Sequence, residues 1–349
     1  MTSALLIRLG GLGDLLVALP ALRLVRASFP DATLHLLARK EYGGLLREAG
    51  VVDAVSAADD MKWMPLFDGS VSFPGEFRRE MGRFDWVGGW FHGGRGPGLC
   101  PGVNFSREGS SLDGRTKTAD PGSRGGTGED AGLRDFFVAA STPAPGALPP
   151  RAFVYDPASG APLSRYFFDR TGEFVREAGR PVPTFDDCRL LFPSDTASRK
   201  QFAVVHPGSG GPQKCWPLGR FFRVIEALRE RGLGGFLVSG EAEAGLEESL
   251  ARLPLPPGWR RLARPPLADL AGLLRAAAIY VGNDSGVTHL ATACGADAVA
   301  VFRTEFVAAW KPFGRCFVRS APDVAAIAAE DVIAVVGRAL DEQMPSSPF

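Results

Sequence analysis

Apolar residues in this chain gather in short unbroken runs, and stretches of helical period separate them. "ALLIRL" (4–9) and "ATLHLLA" (32–38) read as buried strands, with a helix over 15–28 between them that carries Pro20. A short helix at about 41–49 and a strand near 51–56 follow, and Phe84-Asp85-Trp86-Val87 begins another strand. Helical texture resumes around 164–178, and Pro181, Pro183 and Pro193 mark a linker.

The second half alternates more cleanly. "FAVVH" (202–206), "GGFLVSG" (234–240), "AAIYVG" (277–282) and "AVAVF" (298–302) read as strands. Helices are expected over 218–231, where Phe221, Phe222, Ile225 and Leu228 share one face, and over 242–252, 267–276 and about 323–340. After "AAIYVG", Val287, Leu290, Ala291 and Cys294 recur at helical spacing and Gly295 sits where a C-cap would. Strands alternating with helices specify an α/β fold with parallel, doubly wound sheets. Two such halves joined by a Pro-rich linker imply two Rossmann-like domains facing a cleft. The expected division is 1–192 for the first domain and 193–322 for the second. Residues 323–349 form a C-terminal helix and tail, with packing back onto the first domain left open.

Between 93 and 150 the pattern stops. Residues 93–132 hold twelve of the chain's 43 glycines and no apolar period, which reads as a disordered insertion, with an acceptor-facing lid as the alternative.

Composition narrows the class. A length of 349 residues suits two domains of ~150 residues each. A hydrophobic fraction of 45% and a mean hydropathy of +0.02 fit full cores. Formal net charge is zero, so no overall field favours nucleic acid as a partner. The five cysteines include no CxxC pair, which argues against a zinc site or disulfide framework and suits a reducing cytoplasm. Arg8 and the following glycines interrupt the N-terminal apolar stretch, so it does not read as a signal peptide. No run reaches the ~20 apolar residues of a membrane span. The expectation is a cytoplasmic protein, at most peripheral on a membrane.

Three strand–turn–helix junctions gather the chemistry. In "VGNDSGVTHLATACG" (281–295), Asp284 ends a strand, Ser285 or Asp284 caps the next helix, and Gly286 opens it. The first turn of a helix suits an anion, and Gly286 would let a phosphate approach the backbone. His289 leans back toward the same opening. A capped core helix explains each residue singly; the four together point to a phosphate site. "HPGSGGPQKCWPLGRFF" (206–222) repeats the design with Ser209 and Lys214, one of six lysines against 33 arginines. "RLGGLGDLLVALPAL" (8–22) places Asp14 at a helix N-terminus, as a cap or as a reactive acid. As a dinucleotide fingerprint this last stretch is incomplete, with Leu16 at the third glycine position and Ala38-Arg39-Lys40, not an acid, ending the second strand. "SGEAE" (239–243) ends a strand with two acids suited to a ribose. No Asp-x-Asp occurs, so charge on a departing diphosphate would fall to Lys214, His289 and the helix start at 285–286.

These segments together resemble glycosyltransferase family nine, the ADP-heptose:lipopolysaccharide heptosyltransferases, over roughly residues 4–60 and 202–314. "FRTEFVAAWKPFG" (302–314) adds to the likeness, although Arg303 stands where the family usually has glycine and residues 88–150 lie outside it. The resemblance implies a GT-B fold and an inverting reaction without metal or cofactor. It implies a nucleotide-sugar donor, ADP-heptose, and a lipid-linked saccharide acceptor at the inner membrane surface. Asp14 would be the general base on the acceptor hydroxyl. Ser209, Lys214, Ser285, Gly286 and His289 would hold the diphosphate. Glu243, or Glu241 two positions before it, would face the ribose, and Asp284 would lie near the transferred sugar. Two rival readings are an NADP-dependent oxidoreductase using the Gly11/Gly13 loop and Arg39, and a catalytically silent nucleotide-sugar-binding protein.

Overall fold

The computed structural model describes residues 1–66, 75–92, 148, 151–188, 191–192, 202–240, 250 and 254–343. The expected insertion at 93–150, the helix at 242–252 and the tail after 343 therefore lie, wholly or almost wholly, outside the described residues. Two parallel sheets form the frame. The first comprises β1 (Ser3–Ile7), β2 (Thr33–Ala38), β3 (Ala54–Ala57), β4 (Trp86–His92) and β5 (Arg151–Tyr155), in the order β3-β2-β1-β4-β5. The second comprises β6 (Phe202–His206), β7 (Gly234–Ser239), β8 (Trp259–Ala263), β9 (Ile279–Asn283), β10 (Ala298–Arg303) and β11 (Cys316–Ala321), in the order β11-β10-β9-β6-β7-β8. In both, the winding direction reverses beside the first strand, between β1 and β4 and between β6 and β9. Such switch points open a crevice at the carboxyl ends of the strands. The three polar junctions read from the sequence follow β1, β6 and β9.

Helices α1 (Leu12–Val17), α2 (Leu19–Ser28), α3 (Lys40–Glu48), α4 (Gly75–Met81) and α5 (Leu163–Glu177) belong to the first half. The second half carries α6 (Leu218–Glu230), α7 (Leu267–Ala276), α8 (Gly286–Ala293), α9 (Thr304–Trp310) and α10 (Ala329–Asp341). The helix expected over 15–28 is in fact two, broken at Ala18. Pro20, in the first turn of α2, cannot donate the N–H that would continue one helix through that point. The first piece also starts earlier, at Leu12, which places Asp14 inside its first turn.

Strand alternation sorts the core into layers. On β1, Leu5 and Ile7 face Trp63, Phe77 and Phe91 on one side of the first sheet. Ala4 and Leu6 face the opposite way, into a cluster that runs through α1, α2 and α5 and continues across α8 to Tyr280, Ala298 and Ala300 of the second sheet. The two halves thus share an apolar layer. The far side of the second sheet has its own cluster around Trp216, Phe221, Ile225 and Val281. The chain between the halves is tied to both: Leu191 N–H donates to Ala293 O at 2.8 Å, and Arg23 donates to Leu191 O at 3.1 Å.

The last helix, whose packing onto the first domain was left open above, lies on the second sheet among the described residues. Val332, Val335, Val336 and Ala339 of α10 are buried in the cluster around Phe221, so α10 covers the outer face of the second sheet beside α6. Arg223–Glu330 and Arg231–Asp341 ion pairs flank that contact. Burying one valine is worth roughly 1.5 kcal/mol or more, so three account for several of the ~5–15 kcal/mol that hold a typical domain. A chain ending at residue 328 is therefore expected to lose the cooperative thermal transition of the second half. An unchanged melting curve for that truncation would show α10 to be dispensable.

Candidate active site

A cleft of about 1280 Å³ lies at the carboxyl ends of both sheets and is lined from both halves. Gly10–Asp14 and the start of α3 form one wall; Ser209, Lys214, Asp284–Val287 and His289 form the other. Of the residues expected to carry function, Asp14, Ser209, Lys214, Asp284, Ser285, Gly286 and His289 all meet here. Glu243 and Glu241 lie outside the described residues.

Asp14 is held from several directions. Its Oδ2 accepts the Gly11 N–H at 2.8 Å, which caps α1, and its Oδ1 lies 3.3 Å from Arg8 Nη2. Gly10 has φ +105°, and a Cβ there would sit 2.7 Å from the Asp14 carboxyl carbon, so both conformation and space require glycine. The acid side chain is 18% exposed. It caps its own helix, as the plain reading holds, and still faces the cleft.

Opposite it, the β9–α8 turn is built by buried polar contacts. Asn283, fully buried, accepts the Trp216 N–H and donates to Pro207 O at 2.7 Å, which fixes the β6 loop on the end of β9. The sequence reading passed over Asn283, and its only signal was a polar amide closing an apolar strand. Ser285 caps α8 through Thr288 N–H. Thr288 in turn donates to Asn283 O and meets the Tyr280 hydroxyl at 3.0 Å. Ser209 donates its hydroxyl proton to Asp284 O at 2.7 Å, so in this arrangement it braces the turn. Lys214 Nζ lies 2.8 Å from Asp284 Oδ2 and 4.7 Å from the centre of the Phe306 ring. Asp284 is 5% exposed, and the lysine is its charge partner.

Two expectations change in kind. Gly286 is small because of the first domain: a Cβ there would sit 2.9 Å from Leu12 Cβ and 3.0 Å from the Gly13 nitrogen. Gly13 is in turn close to both Gly286 and the His289 ring. The first turns of α1 and α8 therefore touch. His289 is the second change. It is buried against Trp310, edge to face at 6.4 Å, and Nδ1 has no partner among the described residues. Burial pushes its imidazole down to about 4, against weaker opposing effects of Asp284 and Asp14 and with Lys214 acting in the same direction as burial. At neutral pH it is an uncharged hydrogen-bonding group, so Lys214 supplies the formal positive charge expected of the pair.

Arg303, which stands apart from the family pattern, donates to Gln213 at 3.0 Å and pairs with Glu305 at 2.7 Å. It ties the start of α9 to the turn carrying Lys214. Trp216 is a packing residue, buried with its indole N–H on Ile327 O at 3.0 Å.

Comparison with known sequences shows what this stretch is similar to. Residues 178–320 match the model of glycosyltransferase family 9 (heptosyltransferase). The matched stretch contains the whole Lys214–Asp284–His289 wall. Among relatives, Lipopolysaccharide heptosyltransferase 3 of Escherichia coli (strain K12) is 24% identical over 169 residues, 43% of this chain and 49% of that protein. The match thus spans about half the length of that relative. Solved structures are alike over almost the full length. E. coli ADP-heptose LPS heptosyltransferase II gives a TM-score of 0.65 at 17% identity, covering 98% of this chain and 99% of its own. E. coli heptosyltransferase WaaC with ADP gives 0.61 at 15%, covering 97% and 99%. At that identity the likeness establishes the fold, two parallel-sheet α/β domains of GT-B type.

The neutral state of His289 fixes a pH dependence. The unfolded imidazole titrates near 6.5 and the folded one at about 4. The contribution is complete above pH 6.5 and is lost as pH falls from 6.5 toward 4. Between about pH 7.5 and 5, wild type is expected to lose on the order of 2 kcal/mol more stability than His289→Gln, at ~1.4 kcal/mol per pKa unit. Parallel denaturant-unfolding profiles for the two proteins would contradict the buried neutral state.

Proposed function

We propose that the protein is an inverting, metal-independent glycosyltransferase. It moves heptose from ADP-heptose to a lipopolysaccharide core acceptor, at the cytoplasmic face of the inner membrane. The observation that carries this reading is the meeting of Asp14, from one domain, with Lys214, Asp284 and the first turn of α8, from the other, across one cleft. An acid on one wall and an anion-suited wall opposite are what transfer between a hydroxyl and a sugar diphosphate requires. The names of the relatives support the substrate: one is a lipopolysaccharide heptosyltransferase, and a structural neighbour holds ADP. Among the described residues no helix is long and apolar enough to cross a membrane, so contact with a lipid-linked acceptor is peripheral in this reading.

The reaction is a single displacement. The acceptor oxygen attacks the anomeric carbon from the face opposite the diphosphate, while its proton passes to Asp14. The bond from the anomeric carbon to the diphosphate oxygen breaks, and the electron pair leaves with ADP. Lys214 and the unpaired N–H groups at the start of α8 meet the charge that develops there. They are oriented before the donor arrives, Lys214 by Asp284 and α8 by its Ser285 cap. No cofactor takes part. Ser209, Gly286 and neutral His289 shape the diphosphate pocket, Asp284 sits nearest the sugar, and Glu243 takes the ribose.

A panel of nucleotide sugars, assayed with and without excess chelator, tests donor and mechanism together. Transfer from ADP-heptose is expected to persist in EDTA. Loss restored by Mg²⁺ or Mn²⁺ would overturn the metal-free mechanism. Two substitutions separate chemistry from binding. Asp14→Asn keeps the cap but removes the base, so transfer should fall by ~10²–10⁴-fold with ADP affinity nearly unchanged. Lys214→Ala should weaken ADP binding and slow transfer together, raising the donor KM and lowering kcat. It should also lower the melting temperature, because Asp284 loses its partner in a buried position. If Asp14→Asn transfers sugar at close to the wild-type rate, the acid is only a cap.

A further inference from the structure

Arg8 sits behind Asp14, away from the donor wall, and it is only 4% exposed. A charge buried that deeply needs a reason. Among the described residues its guanidinium reaches three acceptors. Nε donates to the main-chain oxygen of Asp14 at 2.6 Å, Nη2 approaches Asp14 Oδ1 at 3.3 Å, and Nη1 donates to Trp90 O at 2.9 Å. The Phe167 ring lies against the guanidinium, 5.5 Å from its centre. One planar fork therefore grips the backbone and the carboxylate of the same acid and anchors both to the end of β4.

We infer that Arg8 is a positioning residue for the transfer reaction: it orients the Asp14 carboxylate toward the acceptor and keeps it ionised, ready to take a proton. The inference rests on the reading of Asp14 as the base. The other Asp14 oxygen is turned by the Gly11 N–H, so each carboxylate oxygen has a fixed partner. Arginine suits this task and lysine does not, because a single ammonium cannot span three acceptors in a plane.

The remaining charges around the acid do not replace Arg8. His289 faces it from α8 but is neutral at working pH. Lys214 is 2.8 Å from Asp284, and that carboxylate offsets its field at Asp14. From the second strand's end, Arg39 and Lys40 line the same cleft with Glu41 beside them. Among the described residues, Arg8 is a cation in direct contact with the acid.

The test compares pH profiles of kcat/KM for wild type, Arg8→Gln and Arg8→Lys, using ADP release from ADP-heptose with a lipopolysaccharide core acceptor. ADP titration and thermal melts run alongside. In Arg8→Gln the acidic limb is expected to move up by ~1 pH unit or more, because a carboxylate loses its neighbouring positive charge. ADP affinity should hold. In Arg8→Lys the limb should stay near the wild-type position while the plateau rate falls about tenfold, through loss of orientation rather than of charge. A folded Arg8→Gln whose limb coincides with wild type would overturn the inference and leave Arg8 a structural residue. Should Arg8→Gln not fold, a wild-type plateau rate in Arg8→Lys would overturn it equally. Asp14→Asn, run in the same series, separates the two readings: near-normal transfer there removes the base itself, and the role of Arg8 with it.

Discussion

Two helices from different domains begin at the same point in space, and the molecule is organised around that contact. The first turns of α1 and α8 meet where Gly13 lies against Gly286. Each helix start carries the positive end of a dipole, worth roughly half a charge. Bringing two such ends together is unfavourable unless negative charge accompanies them. Each turn supplies an acid: Asp14 inside the first turn of α1, and Asp284 immediately before the cap of α8. Each acid has a cation in turn, Arg8 for Asp14 and Lys214 for Asp284. The cleft is lined by this alternation of charge rather than by a uniformly positive surface, so an incoming anion meets groups that are already oriented.

The same arrangement decides which groups carry charge at neutral pH. Burial of His289 between the two acids and Lys214 leaves it neutral, since desolvation outweighs the attraction of Asp14 and Asp284. A buried neutral imidazole can hydrogen-bond without competing for a diphosphate's charge. The lysine, 30% exposed, remains accessible from the cleft. Division of labour between a neutral buried group and an exposed charged one follows from depth alone.

Much of this was legible in the sequence, for reasons particular to each element. Strands β1, β6, β9 and β10 are covered on both faces, β2 and β7 largely so, and all read as mainly apolar runs. Strands β5, β8 and β11 were not recognised. All three lie at sheet edges, where charged residues such as Arg260, Arg261 and Arg319 interrupt the apolar pattern and discourage edge pairing. Helix α9 has no buried residue and so gave no period to follow. At the site, the strand–turn–helix grammar placed Asp14, Lys214 and the Asp284–His289 run after β1, β6 and β9, where the structure has them. Local grammar could not supply their partners. Lys214 and Asp284 are 70 positions apart, and Gly13 and Gly286 belong to different domains. The grip of Arg8 on Asp14, six residues away, was hidden for another reason: an arginine closing a strand looks like a solvated edge until the fold buries it.

The bare backbone at Gly13 and Gly286 has a consequence for how such a protein diverges. The first half is moulded to the absence of a side chain at Gly286, where even a methyl group would collide with Leu12 and crowd the Gly13 nitrogen. The halves are therefore not freely interchangeable parts. A chimera joining the first half of one relative to the second half of another would inherit a working interface only if both parents left the same gap. The close approach at Gly286 ties the sequence of the first half at Leu12 and Gly13 to that of the second. Lineages exchanging one half by recombination would be filtered first by this fit, before any question of substrate arises.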